Sequence, residues 1–150
     1  FANRGVVVPE KMDGVGTCFY ADGVEPGTCS SVGEIWRGIA NKMRPSWRIY
    51  GENLFAKRAI KYTRLSTFFQ VHSIWDGNFC LDWAETLEIC ASLKLTTVPL
   101  LACGPFDTIE RIVRHKNFID PEWQEGYVIR LWDEFAYETH LSFLAQYTRK

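Results

Sequence analysis

Short apolar runs alternate along the chain with longer amphipathic stretches. β-Branched and aromatic residues dominate the short runs, which is typical of strands. The predicted strands are Gly5–Val8, Thr17–Tyr20, Trp47–Tyr50, Phe68–Trp75, Thr97–Ala102 and Tyr127–Trp132. Ala21-Asp22-Gly23 predicts a hairpin turn after the second of these, and the turn-rich residues 24–33 predict a loop.

The amphipathic stretches predict helices. Apolar residues recur at helical spacing from Glu34 to Lys42, and Pro45 ends that helix. Asp82 begins the clearest helix, because Glu85 follows three residues later as in a capping box. A further helix is predicted for residues 108–115, and residues 135–150 fit either a strand or a helix. Strands mixed with segregated helices predict an α+β domain with mainly antiparallel sheets and flanking helices.

The length and composition fit one domain. The chain has 150 residues, of which 47% are hydrophobic and 23% charged. No apolar run approaches the ~20 residues that a membrane span needs, so we expect no membrane partner. Five cysteines without CxxC spacing indicate reduced thiols in a cytoplasmic protein. The first residue is Phe1, and we interpret residues 1–150 as a single domain truncated at one or both ends.

Charge is distributed unevenly although the net charge is only −1. Between Lys42 and Arg64 there are seven basic residues, and Glu52 is the one acid, so the segment carries +6 and the remainder −7. The basic residues are Lys42, Arg44, Arg48, Lys57, Arg58, Lys61 and Arg64. Such a segment would suit phosphate groups. A solvated protein surface explains it equally well.

The most informative motif is Lys11-Met12-Asp13-Gly14, which follows the valine strand. A lysine attacks only after losing its proton, and desolvation or nearby cations lower a lysine pKa. The end of a buried strand beside a pocket offers that environment. Gly14 would allow a tight turn next to a ligand. Alone, a four-residue match of this kind arises easily by chance.

Two glycine-flanked acids and one aromatic residue strengthen the interpretation. Glu52 follows one predicted strand as Gly-Glu-Asn, and Glu125 opens another as Glu-Gly-Tyr-Val. Together they would hold a ribose hydroxyl, a hard metal ion such as Mg²⁺, or both. Phe69 lies in a strand between them and would stack on a base. Singly, each acid also fits a solvated strand end, and Phe69 also fits the protein core.

The order of these elements resembles the covalent nucleotidyltransferases, and most closely the ATP-dependent RNA ligase family. The stretches RIYGENLFAKRAIKY, FFQVHSIWDG and EGYVIRL are similar to segments of that family. The likeness covers nearly the whole chain and is far more specific than the lysine motif alone. It implies the nucleotidyltransferase fold, an ATP-grasp-like ligase domain over residues 1–150.

The resemblance also implies a role for each position. Lys11 would attack the α-phosphorus of ATP and form lysyl-AMP, and Glu10, Asp13 and Gly14 would flank the nucleotide. Glu52 would contact the ribose, Phe69 would stack on adenine, and Glu125 would support Mg²⁺ and the lysine. AMP would then pass to an RNA 5′-phosphate, and an RNA 3′-hydroxyl would displace it and seal the strand, as in RNA repair.

Two departures from the family pattern leave alternatives open. Gln146 stands where the family usually has a lysine, and residues 24–33 lack the usual arginine. A degenerate, non-catalytic module that binds nucleotide or RNA is therefore the second hypothesis. DNA ligase or capping activity is a third, because it shares the lysine chemistry. His72 lies among apolar neighbours, which favours a core histidine.

Overall fold

The computed structural model describes residues 4–26, 30–54, 68–115, 118–120, 124–137 and 144–148. Within these ranges the chain forms two sheets and three α-helices. The strands are β1 (Gly5–Lys11), β2 (Val15–Tyr20), β3 (Gly23–Glu25), β4 (Trp47–Asn53), β5 (Phe69–Asp76), β6 (Phe79–Cys80), β7 (Thr96–Thr97), β8 (Leu100–Pro105), β9 (Gly126–Leu131), β10 (Phe135–Ala136) and β11 (Leu144–Thr148). The helices are α1 (Ser30–Ile39), α2 (Trp83–Leu93) and α3 (Phe106–Val113), and a 3₁₀ turn spans Ala40–Lys42.

Nearly all strand pairs are antiparallel. The small sheet has the order β11-β9-β1-β8. The large sheet has the order β10-β6-β5-β4-β2-β3, and the short β7 pairs with β5 in parallel. The predicted class, α+β with mainly antiparallel sheets and flanking helices, is confirmed.

The valine run of β1 reflects its position inside the small sheet. Val6, Val7 and Val8 are at most 1% exposed. Val6 and Val8 pack in a cluster with Ile109 of α3, whereas Val7 packs in another cluster with Trp83 of α2. Because both faces of the strand are covered, its sequence is a continuous apolar run instead of an alternating one.

The large sheet packs one face against α1 and α2. Phe19, Ile49 and Phe69 are at most 1% exposed and share a cluster with Val32 of α1 and Cys90 of α2. The backbone N–H of Glu85 donates to Asp82 Oδ1 at 2.7 Å. The predicted N-cap of α2 is therefore confirmed.

The loop predicted for residues 24–33 is wrong over most of its length. Gly23–Glu25 forms β3, and α1 begins at Ser30. The hairpin turn leaves Phe19 opposite Val24, so strand pairing continues beyond the turn. The helix begins early because Val32, 1% exposed, anchors its first turn in the core.

The predicted strand Thr97–Ala102 is divided between the two sheets. The backbone N–H of Val98 donates to Val71 O of the large sheet at 2.8 Å. The next carbonyl, of Pro99, accepts from the Glu10 N–H of the small sheet at 2.8 Å. The chain therefore changes sheets at Pro99, and β8 is the edge strand that this proline indicated.

The described cysteines are free thiols, and Cys103 alone among them is exposed. Cys29 lies outside the described residues. In the same part of the chain, no helix has the length and apolarity needed to cross a bilayer.

Candidate functional site

A cavity of about 400 Å³ lies between the two sheets. This volume falls within the range typical of small-molecule sites. The small sheet contributes Lys11, Val128 and Arg130 to its walls, and the large sheet contributes Tyr50, Glu52 and His72. Several polar side chains therefore converge on one space that also has apolar surfaces.

Lys11 and Glu125 meet at one end of this cavity. Antiparallel pairing of β1 with β9 sets Lys11 directly opposite Gly126. Glu125, the residue before Gly126, places its Oε1 3.7 Å from Lys11 Nζ. The two side chains are 28% and 18% exposed, so neither projects freely into water. Two residues that were predicted to act together are adjacent.

Glu52 reaches the same cavity from the opposite wall. It lies near the end of β4, paired with Gln70 of β5. One of its carboxylate oxygens, Oε2, is fully buried. Two of the predicted acids, Glu52 and Glu125, thus come from different sheets and approach the space around Lys11.

Glu10 also lines the cavity, beside Lys11. The Gln124 amide Nε2 donates to Glu10 Oε1 at 2.6 Å. Burial raises the pKa of Glu10, and this hydrogen bond opposes the rise because it favours the carboxylate. Gln124 is a partner that the sequence alone did not suggest.

Asp13 and Gly14 lie outside the described walls of the cavity. A Cβ at Gly14 would lie 2.7 Å from the carbonyl oxygen of Asn53 and 2.7 Å from a methyl carbon of Leu54. Glycine is required here because the link between β1 and β2 crosses closely over the end of β4. The close neighbour of Gly14 is therefore protein backbone.

Phe69 does not face the cavity. Its ring is 1% exposed and stacks on Phe19, with 4.4 Å between ring centroids and 20° between planes. These surroundings are those of a core phenylalanine, the alternative that the sequence left open. Its contact with adenine stays a prediction.

A change of register in β5 turns His72 towards the cavity instead. Tyr50 of β4 is opposite Ser73, whereas the next residue, Gly51, is opposite Val71. His72 is the extra residue between these pairs, and such bulges redirect side chains. A Cβ at Gly51 would lie 2.5 Å from the Gln70 carbonyl oxygen, so the irregular pairing requires glycine. The sequence does contain a trace of this bulge. The spacing of the apolar core positions changes from two, between 69 and 71, to three, between 71 and 74.

The His72 ring is held in a defined position. Its Nδ1 lies 3.0 Å from Ser73 Oγ, and its plane is 20° from that of Tyr50, with 6.5 Å between centroids. Burial, together with the charge of Arg130, lowers the pKa of His72 to about 4. The imidazole is therefore neutral at neutral pH. The sequence suggested a core histidine; the structure gives a flat, uncharged ring on the cavity wall.

Arg130 is a second wall residue that sequence reasoning missed. It is 2% exposed and donates through Nη2 to the Leu81 carbonyl at 2.7 Å. Its guanidinium carbon lies 5.6 Å from the Trp83 ring and 5.3 Å from the Phe135 ring. The sequence shows this arginine in the stretch EGYVIRL, but it does not show which face of the strand the side chain occupies.

The basic segment is only partly described. Lys57, Arg58, Lys61 and Arg64 lie outside the described residues. Arg48 lines the cavity and donates to the Gly77 carbonyl at 2.7 Å. Among the residues that can be placed, no group of three His, Cys, Asp or Glu side chains forms a metal site.

Solved structures of ligases share this fold. An archaeal ATP-dependent RNA ligase aligns with 98% of this chain at a TM-score of 0.73 and 17% identity. A putative ATP-dependent DNA ligase from Aquifex aeolicus aligns with 98% at 0.66 and 18% identity. A mutant Naegleria gruberi RNA ligase with ATP and Mn aligns with 94% at 0.62 and 16% identity. The alignments cover 43%, 44% and 52% of those chains, respectively, so this chain spans about half their length.

Sequence comparison gives the family directly. No curated protein matches the chain by sequence. The model of the RNA ligase family, however, matches residues 4–145, which include both walls of the cavity. The chain belongs to the RNA ligase family.

Proposed function

We propose that this protein is an ATP-dependent RNA ligase that forms a covalent lysyl-AMP on Lys11. One observation carries the proposal: the Lys11 amine lies 3.7 Å from the Glu125 carboxylate, on a cavity whose opposite wall holds Glu52. Family membership and the ligase neighbours support the same assignment.

The residues of the cavity walls fit a nucleotide that binds in one particular orientation. A phosphate near Lys11 leaves the ribose hydroxyls near Glu52, which is a hydrogen-bond acceptor when ionised. The base then lies between Val128 of β9 and His72 of β5. A flat neutral imidazole on an apolar-walled cavity is a suitable surface for base stacking. In this arrangement His72 takes the stacking role for which the sequence suggested Phe69.

The first chemical step is displacement at the α-phosphorus of ATP. The unprotonated Lys11 amine attacks, an N–P bond forms, and the P–O bond to pyrophosphate breaks. The amine loses a proton as the bond forms. Glu125, whose Oε1 lies 3.7 Å from the Lys11 amine, orients the amine and receives this proton, directly or through one water.

Glu125 is also the residue proposed to hold Mg²⁺. Magnesium in such sites is bound by one or two protein carboxylates and by substrate phosphates, so a three-residue cluster is not required. When bound, the ion offsets negative charge on the phosphates and the leaving group.

The RNA steps follow from the same adduct. An RNA 5′-phosphate attacks lysyl-AMP, the N–P bond breaks, and AMP caps the RNA end through a pyrophosphate linkage. An RNA 3′-hydroxyl then attacks the 5′-phosphorus, forms the phosphodiester and releases AMP. The chain spans about half the length of the ligases that it resembles. Assays with RNA substrates are therefore the direct test of these two steps.

Incubation with α-labelled ATP and Mg²⁺ tests the proposal. Label should stay on the denatured protein, and Lys11→Arg should abolish it, because a guanidinium is not a nucleophile at neutral pH. The matched change Lys42→Arg, at an exposed residue outside the cavity, should leave labelling unchanged. No label on the parent protein, or label that persists in Lys11→Arg, would refute the covalent step.

A non-catalytic nucleotide-binding module is the alternative. β11 places Gln146 opposite Val128, a wall residue, at a position where the family resemblance implies a lysine. A neutral residue there offers no charge to offset a departing pyrophosphate. Calorimetry that detects ATP binding, with no mass increase after ATP exposure, would favour this alternative.

A further inference from the structure

Gln124 connects the segment before β9 to the strand that carries Lys11. Its amide donates from Nε2 to Glu10 Oε1 at 2.6 Å, a short distance of the kind found for bonds to a charged acceptor. The same amide accepts, through Oε1, from the backbone N–H of Asp120 at 2.8 Å. The backbone N–H of Gln124 donates in turn to the Asp120 carbonyl at 2.8 Å. Together these contacts form a bridge from Asp120 to Glu10, the Gln124 bridge.

The bridge depends on the chemistry of a carboxamide. Oε1 is an acceptor and Nε2 a donor, and the two partners require one of each. A glutamate at this position would accept from Asp120 but has no hydrogen to donate to Glu10. A lysine would donate to Glu10 but offers no acceptor to Asp120. The length of the side chain alone therefore does not account for the bridge.

The bridge lies next to the contact between Glu125 and Lys11. Gln124 and Glu125 are consecutive, and they meet the consecutive residues Glu10 and Lys11 of β1. Glu125 itself precedes β9, whose first residue, Gly126, is paired with Lys11. The position of the Glu125 carboxylate therefore depends on the segment that Gln124 anchors, because strand pairing begins only at the following residue.

The fold holds both ends of the bridge in place. The Glu10 backbone N–H donates to the Pro99 carbonyl at 2.8 Å, and Glu10 is also paired with Tyr127 of β9. Phe118, two residues before Asp120, packs edge-on against the Tyr127 ring, with 5.3 Å between centroids and 89° between planes. The hydrogen bond between the two ends therefore joins two segments that are each fixed by other contacts.

We propose that Gln124 is a positioning residue for adduct formation: its bridge to Glu10 holds the Glu125 carboxylate beside the Lys11 amine. This inference rests on the proposed function, in which Glu125 orients the Lys11 nucleophile. The 3.7 Å between Lys11 Nζ and Glu125 Oε1 is near the ~4 Å limit of an ion pair, so a small displacement breaks the contact. Misplacement by about 1 Å costs up to roughly 10²-fold in rate. Gln124 is not among the described wall residues, so it acts through Glu125 and not on the nucleotide.

Gln124→Glu tests the bridge with almost no change of shape. The new carboxylate still accepts from Asp120, but it places a second acceptor against Glu10 in place of a donor. Labelling in a single turnover with saturating α-labelled ATP should slow by roughly 10–100-fold. The matched control is Asn41→Asp, which adds the same charge at an exposed residue of the 3₁₀ turn and should label at the parent rate. A parent rate in Gln124→Glu overturns the proposal.

A reciprocal double variant tests whether the contact with Glu10 is responsible. Glu10→Gln combined with Gln124→Glu reverses donor and acceptor, keeps the net charge and preserves the contact with Asp120. It should label at least ~5-fold faster than Gln124→Glu alone, because the two positions are coupled. Glu10→Gln alone keeps an acceptor for the Gln124 amide and should label near the parent rate. If the double variant is as slow as Gln124→Glu, or if Glu10→Gln alone is equally slow, the bridge is not the cause and the proposal is overturned.

Gln124→Met is the second choice if Gln124→Glu does not fold. It removes donor and acceptor without adding charge, so labelling should slow and Glu10→Gln should not restore it. The half-saturating ATP concentration should stay unchanged, because a positioning role lowers the rate and not the binding of ATP. A folded Gln124→Met protein with the parent rate, or with weaker ATP binding alone, refutes the positioning role.

The proposed function and this inference fail in different ways. No adduct on the parent protein refutes the covalent function and the inference with it. An adduct that forms equally fast in the parent and in Gln124→Glu keeps the covalent function and refutes the role of Gln124 alone.

Discussion

The two ends of the cavity are built in different ways. At the first end, regular antiparallel pairing of β1 with β9 sets Lys11 beside Glu125. At the other end, a register change between β4 and β5 makes His72 an extra residue and turns it towards the cavity. The first arrangement follows from strand ends, whereas the second follows from an irregularity inside a strand.

Because they are built differently, the two ends of the cavity are suited to different tasks. Pairing at a strand end fixes an amine and a carboxylate at short range, which covalent chemistry needs. A bulge supplies a broad flat surface without disturbing the core, because Val71 and Ile74 on either side stay buried. We therefore expect changes at the first end to alter reaction rate, and changes at the second to alter nucleotide affinity or stability.

The largest expected effect is that of Glu125→Gln. The substitution keeps the shape of the side chain but removes the negative charge next to Lys11 and the proposed metal ligand. Adduct formation should slow by roughly 10²-fold or more, as for loss of a preorganised electrostatic group. Single-turnover labelling with saturating ATP measures this rate.

Glu88→Gln is the control for that experiment, because Glu88 is exposed on α2 and is not among the described wall residues. It should label at the parent rate. If Glu125→Gln also labels at the parent rate, the pairing of Lys11 with Glu125 has no catalytic role, and the proposed contrast between the two ends is lost.

Gly51→Ala tests the second end. A Cβ at this position would lie 2.5 Å from the Gln70 carbonyl oxygen and 2.8 Å from the Phe69 ring, so the two strands would have to move apart. We expect a loss of about 2–3 kcal/mol in the free energy of unfolding, measured by urea titration. Gly16→Ala in β2, where nothing lies within 4 Å of the added carbon, should change stability little. Equal stabilities of the two variants would contradict the required close approach.

The same contrast explains which of the residues predicted from the sequence the structure brings together. Lys11, Glu52 and Glu125 lie at or near strand ends, where the face of the side chain matters less, and glycines mark two of these ends. Phe69 and His72 lie within one strand, where a one-residue shift exchanges the core and cavity faces. A prediction that assumes regular alternation of core and exposed residues misses that shift. The uneven spacing of the apolar residues in this strand does reflect it.

The fold was more predictable than the walls of the site. Apolar runs located most strands, and Asp82 located the start of α2, because both signals are local. The change of sheet at Pro99 and the position of Arg130 depend on which distant strands pair. Pairing between distant strands leaves no mark on the local pattern, so these features became clear only in three dimensions.

His72→Ala and Phe69→Leu together separate base stacking from core packing. His72→Ala removes a cavity surface, so it should weaken ATP binding by roughly 10-fold, at the lower end of base–aromatic stacking energies. Phe69→Leu removes a stacked core ring, so it should cost about 1–2 kcal/mol of stability with little change in ATP affinity. Calorimetry and urea titration on both variants measure the two quantities. The reverse result would restore Phe69 as the stacking residue.

The smallest expected effect is an acid dependence that belongs to His72. Its pKa is about 4 in the folded protein and 6.5 for an ordinary histidine, because burial and the charge of Arg130 oppose protonation. Between these values the unfolded chain holds the extra proton, so falling pH stabilises the unfolded state and lowers the free energy of unfolding. The loss should reach about 1 kcal/mol at pH 5.5 relative to pH 7.

Other groups titrate in this range too, including Glu10 with its raised pKa. The quantity to compare is therefore the pH dependence of the free energy of unfolding in the parent protein and in His72 variants. His72→Phe and His72→Gln should both lose this share of the pH dependence in urea titrations. If either variant keeps the dependence of the parent, His72 is not held neutral by the cavity wall.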